Sequence, residues 1–128
     1  MVSLVMGGNT NLSQSIVNIK HSLSASTDIS VFCLDGDGKV TSDEDMIFYG
    51  NPKSVCGTIH IQPSVINVNL DRVPPYIKKL SVVATLDKKN FSEIPNFTLG
   101  CDDFTCEINT ACRTESALIL LEIYNRNN

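Results

Sequence analysis

Six of the fourteen acidic residues fall between Asp28 and Asp45: Asp28, Asp35, Asp37, Asp43, Glu44 and Asp45. Only Lys39 offsets them. Carboxylates clustered on loops suit a hard cation such as Ca²⁺, which takes about 6–8 oxygen ligands. Asp35-Gly36-Asp37-Gly38, followed by Glu44, even fits part of an EF-hand loop. Asp35 and Asp37 fall on its third and fifth positions, Gly38 on the obligate glycine and Glu44 on the final ligand. The first position is then Cys33, a poor Ca²⁺ ligand, and the flanking segments read as strands where an EF-hand needs helices. The plainer reading is a turn with a solvated acidic tip, formed by Asp35, Asp37, Asp43 and Asp45.

The five cysteines, Cys33, Cys56, Cys101, Cys106 and Cys112, contain no C-x-x-C pair, and His21 and His60 lie far from them in sequence. That spacing does not make a zinc site. Free thiols in a reducing cytosol are expected, with Cys101 and Cys106 close enough in sequence to meet across a hairpin. There is no G-x-S-x-G elbow, and no Lys-Ser/Thr follows Gly7-Gly8-Asn9, so neither an esterase nor a phosphate loop is indicated. His60 reads as an exposed strand residue and Asp102-Asp103 as part of a turn. No catalytic residue and no organic cofactor site is expected.

The elements that must position these residues are strands. Ile59-His60-Ile61-Gln62 and Ile66-Asn67-Val68-Asn69-Leu70 alternate apolar and polar with period two, as half-buried strands do. Ile29–Leu34 and Leu80–Leu86 are apolar at nearly every position and rich in β-branched residues, which suits strands covered on both faces. Met46 to Tyr49 reads as a short strand, and Ala117 to Tyr124 fits either a strand or a buried helix. Asp71 to Lys79 is the one helical candidate, since Pro74 and Pro75 can open a helical turn but not sit inside one. Turn signals sit at Gly7-Gly8-Asn9, Asp35–Gly38, Gly50-Asn51-Pro52 and Gly100–Asp103. The expected fold class is all-β, an antiparallel β-sandwich with one or two short helical turns.

The chain has 128 residues, 42% hydrophobic and 19% charged, with ten basic against fourteen acidic residues and a net charge of −4. One domain over residues 1–128 is the natural reading, and the composition excludes intrinsic disorder. An acidic balance argues against nucleic acid or an anionic membrane as the main partner. The longest apolar run is five residues, Ala117–Leu121, and a spanning helix needs about 20, so membrane insertion is not expected. The opening residues lack the basic and hydrophobic regions of a secretory signal, which points to the cytoplasm.

A series of segments resembles one bacterial family. Val2-Ser3-Leu4-Val5-Met6-Gly7-Gly8-Asn9-Thr10-Asn11-Leu12 resembles the opening V-S-L-x-K-G-G-N-x-x-L of TerD domains, with Met6 in place of Lys. Asp28–Leu34 resembles the family's D-x-S-x-F-L-L strand. Asp37-Gly38-Lys39-Val40 with Ser42-Asp43 resembles D-G-K-V-x-S-D, and Phe48–Ser54 resembles F-Y-N-N-x-x-S. Asn67–Leu70 with Val73-Pro74, then Asn90-Phe91, then Thr114–Ala117 with Glu122–Tyr124 follow in the family's order. These matches run along nearly the whole chain.

The resemblance implies a β-sandwich with Ca²⁺ sites in loops at one end. It implies a cytoplasmic, non-enzymatic role in tellurite and general stress resistance, with protein partners in a complex at the inner membrane face. Carried over position by position, the metal ligands are Asp28, Asn51 and Asp87. The sequence departs from the family in ways that weaken or abolish that site. The first acid of D-L-D falls on Ser26. The acidic loop after the F-Y-N-N segment is shortened to Ser54–Gly57, and Lys88 and Lys89 follow Asp87. The W-K-F strand has no counterpart up to Asn128, so the domain is expected to lack the family's last strand. A metal-free interaction scaffold is the alternative. A thiol-based redox or tellurite sensor is a third reading, opposed by the acids beside Cys101 and Cys106, which should raise their pKa.

Overall fold

Alternation in the sequence becomes alternation in burial. On the strand Ile16–His21, Val17 and Ile19 are buried while Asn18 and Lys20 face solvent. On Phe104–Asn109, Phe104, Cys106 and Ile108 turn inward and the residues between them outward. A computed structural model describes residues 2–23, 27–40, 45–48, 58–86, 90–93, 96–109 and 115–124. Within them lie β1 (Val2–Leu4), β2 (Ile16–His21), β3 (Thr27–Leu34), β4 (Met46–Ile47) and β5 (Ile59–Gln62). β6 (Val65–Asn69), β7 (Lys79–Leu86), β8 (Asn96–Gly100), β9 (Phe104–Asn109) and β10 (Ala117–Tyr124) follow.

The strands form two sheets, one in the order β1-β9-β8-β2-β6-β5 and one in the order β10-β7-β3-β4. Their inner faces share one core. Ile19, Ile66, Val68 and Leu99 come from the larger sheet, and Val31, Ile47, Val82 and Ala84 from the smaller. Each large aliphatic side chain removed from water in this way contributes about 1.5–3 kcal/mol, which is what holds two sheets face to face.

The sandwich is as expected, with informative differences. All pairings are antiparallel except that of β1 with β9, where Val2, Ser3 and Leu4 run parallel to Phe104, Thr105 and Cys106. The helical expectation for Asp71 to Lys79 shrinks to a 3₁₀ turn, Leu70–Arg72. Asn69 caps that turn by accepting the Asp71 N–H at 3.2 Å. Val73, which precedes Pro74, is extended (φ −66°, ψ 125°), as the proline ring requires of its neighbour. A second 3₁₀ turn spans Phe91–Glu93.

Ala117 to Tyr124 is a strand, resolved against helix by its pairing with β7, with a bulge between Ile119 and Leu121. The bulge lets Leu118, Leu120, Leu121 and Ile123 all pack against the core. On β3, Ile29, Val31 and Cys33 are buried, but Phe32 and Leu34 are only half-buried on the outer face. Of the short strand read at Met46 to Tyr49, β4 covers Met46–Ile47, and Tyr49 lies outside the described residues.

Candidate functional site

β3 carries the acidic residues to opposite ends of the sandwich. Asp28 stands at its start and Asp35 just past its end. Seven residue steps of strand separate them, about 23 Å. They therefore belong to two different places, as the sequence reading had it.

At the first end, Thr27 of β3 pairs with Leu86 of β7, and Asp28 pairs with Thr85. Thr85 pairs in turn with Ala117 of β10. The Phe91–Glu93 turn closes this end: Phe91 N–H donates to the Glu115 carbonyl at 2.9 Å and Leu86 N–H to the Ser116 carbonyl at 2.8 Å. Asp87 follows Leu86 in sequence, but Asp87, Asn51, Ser26, Lys88 and Lys89 all lie outside the described residues. Of the three metal-ligand candidates only Asp28 can be placed, and it is exposed.

Among the described residues, few oxygen ligands stand beside Asp28. Its neighbours on the outer face are Ser30, Thr85 and, two strand spacings away (about 10 Å), Ala117. Thr27 Oγ1 is buried and makes no hydrogen bond, yet alternation puts it on the inner face, opposite Asp28, so the two cannot serve one ion. The nearby polar groups of the turn are spent locally. Glu93 Oε2 accepts the Asn90 N–H at 3.1 Å, and Asn90 Oδ1 accepts the Ser92 N–H at 3.0 Å. Among the described residues no three His, Cys, Asp or Glu side chains converge as a metal would need.

At the opposite end the described part of the EF-hand likeness forms a turn, and Asp43 and Glu44 lie outside the described residues. Asp35 Oδ1 accepts the N–H groups of Asp37 (2.9 Å) and Lys39 (3.0 Å), and the Gly38 N–H donates to the Asp35 carbonyl at 3.0 Å. Gly38 has φ +75°, which a residue with a Cβ resists. This is a side-chain-capped turn between two strands. One expectation fails here: Asp45 is not solvated. It is 8% exposed, and both its carboxylate oxygens accept from the Tyr76 hydroxyl, at 3.1 and 3.0 Å. The partner is 31 residues away, so nothing local in the sequence marked it.

Among the described cysteines, Cys33, Cys101 and Cys106 form no disulfide; Cys56 and Cys112 lie outside. Cys101 and Cys106 do not face each other, because the register sets Cys106 opposite Leu99. Burial pushes the Cys106 thiol up from its ordinary value. The direction is the one expected, but the cause is desolvation and not neighbouring acids. His60 is half-buried, not exposed as expected. The Asp102-Asp103 turn is tied down: Asp103 accepts from the Ser13 N–H at 3.0 Å and from its hydroxyl at 2.5 Å. Both bonds favour the charged carboxylate and hold its pKa below the ordinary value.

A third feature escaped the sequence reading. Where β2 and β8 part, a hollow of about 380 Å³ opens between Lys20, His21, Thr98 and the Gly100–Asp102 turn. Lys20 and Gly100 are eighty positions apart, and no motif joins them.

In a comparison with known families, the TerD domain matches residues 1–128. The chain belongs to the TerD domain family. It is 29% identical to a tellurium resistance protein TerD of Alcaligenes sp, over 98% of this chain and 84% of that protein. It is 28% identical to a tellurium resistance protein TerD of Serratia marcescens over the same shares. A tellurium resistance protein TerA of Alcaligenes sp is 29% identical over 64% of this chain and 27% of its own length. The alignments with the two TerD proteins run to 162 positions, more than this TerD domain contains. Those relatives therefore carry internal segments that it lacks.

Proposed function

We propose that this TerD domain is a non-enzymatic tellurium-resistance and stress-response module that acts by binding protein partners, in the cytoplasm at the inner membrane face. Its relatives' names support the biological setting, and the edge of β10 supports the mode of action. β10 is the outermost strand of its sheet and pairs only with β7 among the described residues. Ile119 and Tyr124 on its outer face are 63% and 54% exposed. A long apolar edge strand is a template for an added strand, with main-chain hydrogen bonds giving affinity and side chains giving choice of partner. Among the described residues no helix is long and apolar enough to cross a membrane, so attachment through partners suits the proposed location. The shortened loop at Ser54–Gly57 and the lysines after Asp87 support a reading in which Ca²⁺ plays a minor part or none.

Survival on tellurite tests the reading, in a sensitive strain expressing either this chain or its Ile119→Lys variant. A charge on an edge strand blocks pairing without touching the core. The chain should restore growth and the variant should not, with both melting alike. Growth restored equally by both refutes the edge, and no growth with either refutes the resistance role. Thermal unfolding in EDTA and then in rising Ca²⁺ tests the metal. A resident site at 100 times its Kd would add about 2.7 kcal/mol. The expected result is no saturable rise at millimolar Ca²⁺, and a rise abolished by Asp28→Asn would establish the site.

A further inference from the structure

The hollow beside β2 arises from a missing side chain and a short pairing. β2 and β8 pair only at Lys20 with Gly100 and at His21 with Leu99 before the chain turns away at Cys101. Gly100 cannot carry a side chain, because an added Cβ would lie 2.7 Å from the Phe104 carbonyl oxygen. The strand position facing Lys20 is therefore empty, and the space between Lys20 and Thr105, the next residue across the sheet, stays open.

Several lining residues have their acceptor atoms engaged within the fold. Asn18 Oδ1 accepts from the Asn67 amide at 2.5 Å, which leaves the Asn18 NH₂ to donate. His21, the next residue along β2, turns to the opposite face from Lys20, and its Nδ1 accepts the Leu23 N–H at 3.2 Å. Ser22 Oγ accepts the Thr98 N–H at 2.8 Å, which leaves its own O–H to donate. Lys20 makes no ion pair among the described residues. The hydroxyls of Thr98 and Thr105, each able to donate or accept, complete the lining; Asp102 is the charged acceptor on its rim, and Glu107 stands opposite Thr98 on the same exposed face. The Asn18 and Ser22 oxygens are engaged within the fold, which leaves the Asn18 NH₂ and the Ser22 O–H to donate.

We propose that this hollow binds a small oxyanion, with the Lys20 ammonium as its charged anchor and Asn18, Ser22, Thr98 and Thr105 as neutral donors. An ammonium with N–H and O–H groups beside it is complementary to an anionic, acceptor-rich group. The volume admits either a free oxyanion or the phosphate end of a small metabolite. This site lies away from Asp28 and does not depend on the partner-binding reading or on Ca²⁺.

The test is an amide-resolved NMR titration of the full chain in EDTA at low ionic strength, with inorganic phosphate in one arm and tellurite in the other. Saturable shifts confined to residues 18–22 and 98–105 are expected in at least one arm. Stronger binding of phosphate assigns the site to a phosphorylated ligand, and stronger binding of tellurite assigns it to the toxic oxyanion itself. Lys20→Ala should weaken binding roughly tenfold or more and leave the melting temperature unchanged, because the side chain is exposed. Asp102→Asn should strengthen binding severalfold by removing the opposing charge. Shifts that fail to saturate, that spread over other surface lysines, or that survive Lys20→Ala overturn the proposal.

Discussion

Removing the Glu122 side chain should loosen β10, the edge on which partner binding is proposed to depend. Glu122 Oε2 accepts from the Ser81 hydroxyl at 2.9 Å and lies 3.2 Å from Lys79 Nζ. Its other oxygen accepts from the Tyr124 hydroxyl at 2.7 Å. Lys79 in turn sits 5.4 Å from the centre of the Tyr124 ring. Ser81 and Lys79 belong to β7, so this one carboxylate ties the edge strand to its neighbour across the outer face. Ser81 is 5% exposed, and orphaning a buried hydroxyl costs about 1–3 kcal/mol. The ion pair, with both side chains roughly a quarter exposed, adds about 0.5 kcal/mol. The Tyr124 bond adds about 0.5–1 kcal/mol. Glu122→Ala should therefore destabilise the domain by about 2–4 kcal/mol, a fall of roughly 6–15 °C in Tm at this size. Glu122→Gln, which keeps the shape and one acceptor, should cost about half as much.

The assay is urea unfolding across pH, with Ser81→Ala and the double variant completing a cycle. The hydrogen bond from Tyr124 leads the causes that lower the Glu122 pKa, with Ser81 and Lys79 assisting against desolvation. A lowered folded-state value means that stability is fully present above the ordinary glutamate range and is lost as pH falls through the folded-state value. The gap between the native chain and Glu122→Gln should therefore close toward acid. A loss under about 0.5 kcal/mol for Glu122→Ala, or a gap that does not change with pH, refutes the reasoning.

Two further outcomes follow from the packing. Phe91 is wholly buried, 6.4 Å centre to centre from the Phe97 ring, so Phe91→Ala should cost about 3–5 kcal/mol in denaturant unfolding, and a loss under about 1.5 kcal/mol would mean the turn it anchors is not part of the core. Ser64 holds φ +67° in the tight connection between β5 and β6. Ser64→Gly should relieve that strain and stabilise the domain by about 0.5–1 kcal/mol, net of the entropy a glycine adds to the unfolded chain; a loss of stability would refute the strain.

Local pattern and tertiary structure decided different things in this TerD domain. The period-two segments at Ile59–Gln62 and Ile66–Leu70 determined strands, because a pleated chain sends successive side chains to opposite faces whatever its neighbours. The turn at Gly100–Asp103 and the capped loop at Asp35 were equally legible, since glycine and aspartate act on their own backbone. The spacing of short strands and turns pointed to the sandwich, and the ordered motifs identified the family. Pairing was not legible. The parallel union of β1 with β9, the burial of Asp45 under Tyr76 and the tie between Ser13 and Asp103 join residues distant in the chain, and strand propensity carries no address for a partner. Ala117–Tyr124 was ambiguous for the same reason, its apolar run made a strand by pairing with β7. The metal candidates came from alignment alone, and the fold placed Asp28 on the outer face without a second acid among its described neighbours. The hollow at Lys20 exists only because two chain segments cross where one has glycine. A sequence records each side chain's chemistry, but only the packed sheets decide which donors are left facing open space.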